Sequence, residues 1–310
     1  MPRVSVLIAA YNSAPFIGET LDSVLAQSYD DWEVVVADDA SVDDTVSIAR
    51  GYDERVRVVV AAANSGRPAA TRALALSHAR GELVAFLDAD DLWQPSYLTS
   101  MTRLLDGARE RDRRVAIAAC DASLLKPDGT IASRTYADYA GRPAQLTLGR
   151  LLASNPIYTS ALVCRGPLED AGGIAVELSG TDDWDLWLRM MELGHRVVWT
   201  DQALATYRLR SDSMSADHGL MARNVIDVCR RALARGRLTR RQRRLVHRQL
   251  HIQRFIEARE AIRARRRAGD WALADRLRLA PLAGRVFVEN IGRTTARSLR
   301  GFSDLRLRAN

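Results

Sequence analysis

The sequence has no stretch approaching the roughly 18 to 20 consecutive apolar residues that a membrane-spanning helix needs. Residues 4–10 already read as a strand, so no signal peptide is expected. Cysteine is scarce. Cys120, Cys164 and Cys229 are odd in number, widely scattered and without metal-ligand spacing, which excludes a disulfide framework and a thiolate metal cluster. They read as core thiols in a reducing compartment, so a cytoplasmic setting is expected. His78, His195, His218, His247 and His251 form no metal-ligand constellation and read as structural or surface residues. Lysine is almost missing: Lys126 stands alone among 45 basic residues, a bias of composition rather than of mechanism.

What is present is a 47% hydrophobic content over 310 residues, enough to build a sizeable core in one large domain or in a domain with an appendage. The net charge of +7 conceals a division. Residues 221–310 hold 24 arginines against 7 acids, a net +17, which leaves the first 220 residues at −10. The basic region lacks a nucleic-acid-binding motif and spreads its arginines around apolar helical stripes, so no nucleic acid is expected as a partner. Two readings of it stand side by side: solvated helix faces, or a peripheral contact with anionic lipid at the inner face of a membrane.

Strand-like apolar runs at 4–10, 32–37, 56–61 and 83–87 are each followed by a helix-like segment, at 15–27, 43–49, 68–79 and 95–105. In the first of these helices Phe16, Ile17, Leu21, Val24 and Leu25 share one face, with Pro15 near the start. Four βα units in succession imply a parallel sheet with right-handed crossovers. After about residue 110 the pattern becomes mixed. A strand is expected at 115–125, then a Lys126-Pro127-Asp128-Gly129 turn with a returning strand at 131–134, and a further strand at 160–165. A helix at 182–193 closed by Gly194 and a short strand at 197–199 follow, and 211–219 reads as a flexible loop. From residue 215 the pattern is almost wholly helical. Leu245, Ile252, Phe255, Ile256 and Ile262 recur at helical spacing, Gly269 and Asp270 make a break, and another helix at 271–280 is stopped by Pro281.

The most informative stretch is Leu83-Val84-Ala85-Phe86-Leu87-Asp88-Ala89-Asp90-Asp91, a buried strand that ends in three carboxylates. Acids at i and i+2 point to the same side of an extended chain, close enough to share one hard divalent cation. A turn or helix cap is the competing reading, and it is the one expected of Asp91. Further polar clusters follow the other three strands: Tyr11 and Asn12, Asp38 and Asp39, and Asn64-Ser65-Gly66 with Arg72. At the carboxyl edge of one parallel sheet these converge on a single crevice. Together they describe an aromatic face, a carboxylate able to accept from a base N–H, a guanidinium and a metal-binding pair.

At these residues the chain resembles the family 2 glycosyltransferases of the GT-A fold, a Rossmann-like nucleotide-diphospho-sugar transferase architecture. The stretches that carry the resemblance are Val4 to Asn12, Val36 to Thr45, Asn64 to Arg72, Leu87 to Asp91, and Asp182-Asp183-Trp184-Asp185-Leu186-Trp187-Leu188-Arg189. They occur in the family's order over about residues 3–210. The resemblance implies a GT-A domain at 1–215, with a nucleotide-binding half at 1–110 and an acceptor-binding half at 111–215, followed by an Arg-rich helical region at 216–310. It implies a donor site made by Ala9, Tyr11, Asp39, Arg72, Asp88 and Ala89. Tyr11 would stack on the nucleobase, Asp39 would accept from uracil, Arg72 would approach the base or phosphates and Asp88 would hold the ribose. Asp90, partnered by Asp88, would ligate Mn²⁺ or Mg²⁺ on the diphosphate, and Asp183 would be the general base.

The activity so implied is inverting, metal-dependent transfer of a sugar, with a uridine diphosphate sugar as the expected donor. The acceptor would be a hydroxyl on a glycan or lipid-linked molecule in cell-surface polysaccharide assembly. Two positions depart from the family. Asp182 stands where a glutamate often precedes the base, and Arg210 stands where many relatives carry histidine; a diphosphate contact and a solvated charge are both open for Arg210. At the start of the 182–193 helix, Asp182 reads as a cap. Trp184 reads as a wall of the acceptor site or as core. Asp88-Ala89-Asp90 is also similar to the nucleophile motif of haloacid-dehalogenase-like phosphatases, although Leu92 stands where those carry Thr or Val. A non-catalytic glycosyltransferase-like scaffold is the remaining alternative.

Overall fold

The computed structural model of the chain describes residues 1–141 and 145–267. The first half alternates strand and helix: β1 (Val4–Ala10), α1 (Ile17–Leu25), β2 (Trp32–Asp38), α2 (Thr45–Arg50), β3 (Val56–Val60), α3 (Pro68–His78) and β4 (Leu83–Asp88). β1, β2 and β4 are buried almost throughout, as strands covered by helices on both faces must be, while β3 at the sheet edge is half-exposed. Pro68 occupies the first turn of α3, where its missing N–H costs nothing. α1 begins at Ile17 rather than Pro15, because the chain first turns on the carbonyl of Ser13, which accepts from Phe16 and Ile17.

A two-residue strand β5 (Leu92–Trp93) and α4 (Tyr97–Arg111) lead into β6 (Val115–Leu125). The short helices α5 (Tyr136–Ala140) and α6 (Leu148–Ala153) precede β7 (Ala161–Cys164), α7 (Arg165–Asp170), α8 (Asp182–Glu192) and β8 (Arg196–Arg208). All strands join one sheet in the order β3-β2-β1-β4-β7-β6-β8-β5. The β3-β2-β1-β4 half is parallel, and antiparallel β7 marks the change to the mixed half. Ala10 lies opposite Asp38 and Ala9 opposite Asp88, so the segments leaving β1, β2 and β4 start from one edge. That alignment builds the site.

Two sequence expectations need correction, and a third, for Asp91, gains a second role. The Lys126–Gly129 turn forms, with Gly129 at φ +80°, but the expected strand at 131–134 is reduced to a single bridge between Leu125 and Ile131. The short strand at 197–199 is the start of β8, which runs 13 residues and pairs with β6 through irregular register at Cys120 and Asp121. Its exposed middle, Asp201 and Gln202, hides the continuation from a hydrophobicity reading. Asp91 closes the turn that leaves β4, its N–H donating to Asp88 O at 3.1 Å, but its side chain does more than suit a turn. It is 1% exposed, accepts from the hydroxyl of Tyr158 and from Arg208 N at 2.8 Å, and so ties the end of β4 to β8. Burial, with the charges of Asp90 and Asp88, raises its carboxyl well above the ordinary carboxylate range. Tyr158→Phe is expected to lower unfolding free energy by about 1–3 kcal/mol, the cost of a buried acceptor left short of a partner. Urea denaturation checks it.

The basic region is partly used inside the fold. α9 (His218–Ala234) packs on α8, and α10 (Arg240–Arg267) packs on α9 and α6. Fully buried Asp185 accepts from Arg189 at 2.8 Å, Arg235 at 2.8 Å and Arg231 at 3.3 Å, and Arg235 also reaches Glu192 at 2.7 Å. Burial alone would raise the Asp185 carboxyl, and the three guanidiniums outweigh it and hold it below the ordinary range. Arg231 and Arg235 are therefore docking residues of α9, not solvated charges. The expected helix at 271–280 lies outside the described residues. Among the described residues no helix is long and apolar enough to cross a membrane.

Candidate active site

The sharp turns that leave the strands fix the donor edge. Asn12 and Ala40 take left-handed conformations, φ 47° and 59°. Asn12 accepts through Oδ1 from Val42 N at 3.0 Å, while Asp38 accepts from Ser41 N at 2.8 Å, so the two loops brace each other. Asp39, 5% exposed, accepts from Ser65 N at 3.0 Å, Ser65 Oγ at 3.1 Å and Gly66 N at 3.1 Å. A carboxylate has about four lone-pair sites, so one remains for a ligand. Tyr11 is 49% exposed and presents its ring to the same space. An exposed aromatic beside a carboxylate is a platform for a flat heterocycle.

Arg72, on α3, is the pivot of the site. Its guanidinium donates to Asp88 Oδ1 at 2.6 Å and to Asp182 Oδ1 at 2.8 Å, with the side chain only 12% exposed. Asp182 therefore anchors Arg72 and makes no capping bond, contrary to the expectation from its place at a helix start. Thr181, before it, sits at φ 59°, a costly conformation for a β-branched residue, which marks this entry into α8 as held by its surroundings. α8 ends as expected: Gly194 adopts φ +93°, and His195 N bonds back to Met190 O at 3.1 Å.

Asp183 follows on the first turn of α8 and opens onto the cavity, with Asn155 Nδ2 donating to its Oδ2 at 3.3 Å. Its carboxyl is pushed up to about 7 by burial and then by the charge of Asp182, against the opposing effect of Arg72. A carboxylate that can exchange a proton near neutral pH has the property a general base needs. Asp90 is also raised, by burial first and by Asp88, with Arg210 opposing; Arg210 Nη1 donates to its Oδ2 at 3.0 Å. Arg210 is neither a free solvent charge nor a lone one: it also clasps Asp212 and lies 4.2 Å from the Phe16 ring centre.

These groups share a cavity of about 830 Å³ that reaches Ala9, Tyr11, Asp39, Arg72, Asp88, Ala89, Asp90, Asp183 and Arg210. Every residue assigned to the site from sequence lines it. Among the described residues no three His, Cys, Asp or Glu side chains converge as a metal cage. Asp88 and Asp90, two acids lining this cavity, fit instead the way Mg²⁺ and Mn²⁺ are held, by one or two carboxylates with the remaining ligands from phosphate and water.

A further wall of the cavity was visible in the motifs only through Trp184. Tyr136, Tyr158 and Tyr207 form a cluster with ring centres 5.2–6.5 Å apart, and Trp184, 5% exposed, donates to Leu151 O at 2.9 Å while facing the cavity. Trp187 is core, packed edge-on against Phe86 at 5.8 Å. Met214, Met221, Val225, Ile252 and Ile256 complete the wall from α9, α10 and the turn before them. The expected flexible loop at 211–219 contains a single turn of 3₁₀ helix, Met214–Ala216, tied by Ser215 to Tyr207 at 2.6 Å. Beyond Trp184, only the helical spacing of Ile252 and Ile256 could have pointed to this wall, and it cannot say what a helix packs beside.

The family model described as Glycosyl transferase family 2 matches residues 5–161. The chain is 33% identical over 220 residues to the putative teichuronic acid biosynthesis glycosyltransferase TuaG of Bacillus subtilis, covering 70% of this chain and 82% of the relative. In three dimensions it is similar to a mannosyltransferase of Pyrobaculum calidifontis solved with GDP-Man and Mn²⁺, at TM-score 0.64 and 23% identity, over 99% of this chain and 87% of the other. It is also similar to S. aureus TarS 1–349 solved with UDP-GlcNAc, at TM-score 0.61 and 21% identity, over 86% and 73% of the two chains. The fold is thus of the GT-A type. Nothing among these relatives favours the phosphatase alternative, and Asp88, held at 2.6 Å by Arg72, is poorly placed to be a nucleophile.

Proposed function

The chain belongs to glycosyl transferase family 2, and from that premise we propose an inverting, metal-dependent enzyme that moves a sugar from a nucleotide donor, a uridine diphosphate sugar, to a hydroxyl of a cell-surface glycan precursor. The observation that carries the reading is the meeting of Asp183, its carboxyl pushed to about 7, with Asp88, Asp90, Tyr11 and Asp39 in one cavity. Tyr11 stacks on the base, the last acceptor site of Asp39 takes a base N–H, and Ala9 and Ala89 let the donor approach the strand ends. Asp90 and Asp88 would hold Mn²⁺ or Mg²⁺, which when bound stabilises the charge on the departing diphosphate. Asp183 takes the proton of the acceptor hydroxyl, and the tyrosine cluster with Trp184 forms the acceptor wall. Attack from the face opposite the leaving group inverts the anomeric centre.

Supporting the donor class, neighbours of the same fold were solved with UDP-GlcNAc and with GDP-Man and Mn²⁺. A panel of nucleotide sugars read by thermal shift, with and without Mn²⁺, tests it. Uridine donors are expected to raise the melting temperature more with the ion present than without it. Stabilisation by a guanosine or thymidine donor alone would overturn the assigned base, and equal stabilisation with and without metal would overturn the role of Asp90.

A further inference from the structure

We propose that Arg210 is an internal counter-cation for Asp90. In the donor-free protein it holds the carboxylate that a divalent ion would take, so that ion and donor diphosphate enter together and Arg210 passes from the acid to the phosphates. This rests on the reading of Asp88 and Asp90 given above and deepens it.

The guanidinium of Arg210 has three holds of unequal kind. Nη1 donates to Asp90 Oδ2 at 3.0 Å, inside the cavity. Nε and Nη2 clasp Asp212 at 3.0 and 2.7 Å, and the group lies 4.2 Å from the centre of the Phe16 ring. Asp212 is 70% exposed, so this second acid lies at the surface and remains a partner if the first is given up. Release of Asp90 therefore costs one of three contacts, and the planar fork is already oriented for phosphate oxygens.

The metal side of the argument is independent. An ion arriving alone meets two acids that already carry guanidiniums, Asp88 with Arg72 at 2.6 Å and Asp90 with Arg210 at 3.0 Å. A second positive charge on Asp90 is repelled by the first. No third protein acid completes a cage among the described residues. A diphosphate removes both obstacles, because it supplies oxygen ligands for the ion and a new anionic partner for Arg210. Histidine at this position would only add a ligand; arginine makes the empty site self-neutralising.

Isothermal titration of Mn²⁺ into the full chain, alone and with saturating UDP, tests this. In the native protein UDP is expected to tighten Mn²⁺ at least tenfold, about 1.4 kcal/mol, and Mn²⁺ to tighten UDP equally. Arg210→Gln is expected to bind Mn²⁺ alone about tenfold tighter than native, with a correspondingly smaller effect of UDP. Arg210→Lys keeps the charge and is expected to stay within about threefold of native. Arg67→Gln, which removes an equal charge from the cavity wall, is the control and is expected to change little. Unchanged Mn²⁺ affinity in Arg210→Gln, or an equal gain in Arg210→Lys or Arg67→Gln, would overturn the proposal while leaving the enzyme's assignment intact. Failure of the native protein to bind UDP and Mn²⁺ together would instead remove the donor-site reading itself.

Discussion

Asp183→Asn is expected to lower kcat by roughly 10²–10⁴-fold, the range for loss of a positioned general base, while UDP and Mn²⁺ binding stay close to native. The amide keeps the shape and the contact with Asn155 and loses only the ability to take a proton. In the native enzyme kcat/KM is expected to rise with pH and level off above about 7, because in the proposed role only ionised Asp183 can take the acceptor's proton. In kcat the limb moves to lower pH, since a bound cation favours the ionised form. The variant lacks this limb.

The same substitution is expected to stabilise the fold. Asp183 is protonated more readily in the folded chain than in the unfolded one, its carboxyl lying near 7 instead of in the ordinary range. Native stability attributable to this group is therefore greatest in acid, falls as pH rises towards about 7, and stays low above it. The advantage of asparagine should be small at pH 4 and reach about 1–3 kcal/mol at pH 8, less than the full shift implies because the side chain faces the cavity. Urea titrations at the two pH values measure it. A variant that is more stable and inactive separates catalytic loss from unfolding.

Arg72→Ala is expected to cost about 3–5 kcal/mol of stability, the price of removing one partner from a buried ionic cluster. Asp182, 2% exposed, would be left without its 2.8 Å partner, and Asp88 without its 2.6 Å one. The pH rate limb should also move upward, because Arg72 opposes the rise in the Asp183 carboxyl. Arg72→Met combined with Asp182→Leu is expected to recover much of the stability without the activity. If Arg72→Ala proved as stable as native, the cluster would not be the link between the donor edge and α8.

The donor half was legible in the sequence because its signals are local. Val34, Val35 and Val36 are apolar since both faces of β2 are covered, Pro68 starts α3, and polar residues follow each strand where the edge opens. Asp183 was legible through the family's motif. The pairings were not. Nothing in the spacing says that Asp182 looks across 110 positions to Arg72, or that Asp91 is buried against Tyr158 and Arg208. Such contacts depend on how the mixed half folds back, and its longest strand, β8, is polar in the middle. The arginines of 221–310 misled for the same reason: Arg231 and Arg235 resemble solvent charges until Asp185 and Glu192 are placed beside them.

The central claim is that Asp183 and the Asp90 site lie on opposite sides of one displacement. It is tested most directly by ¹H NMR of the sugar released when the donor that stabilises the protein, an α-linked nucleotide sugar, is turned over with Mn²⁺. The expected result is that the β anomer forms first and that Asp183→Asn does not form it. Initial appearance of the α anomer, or equal release of β sugar by the variant, would contradict the claim.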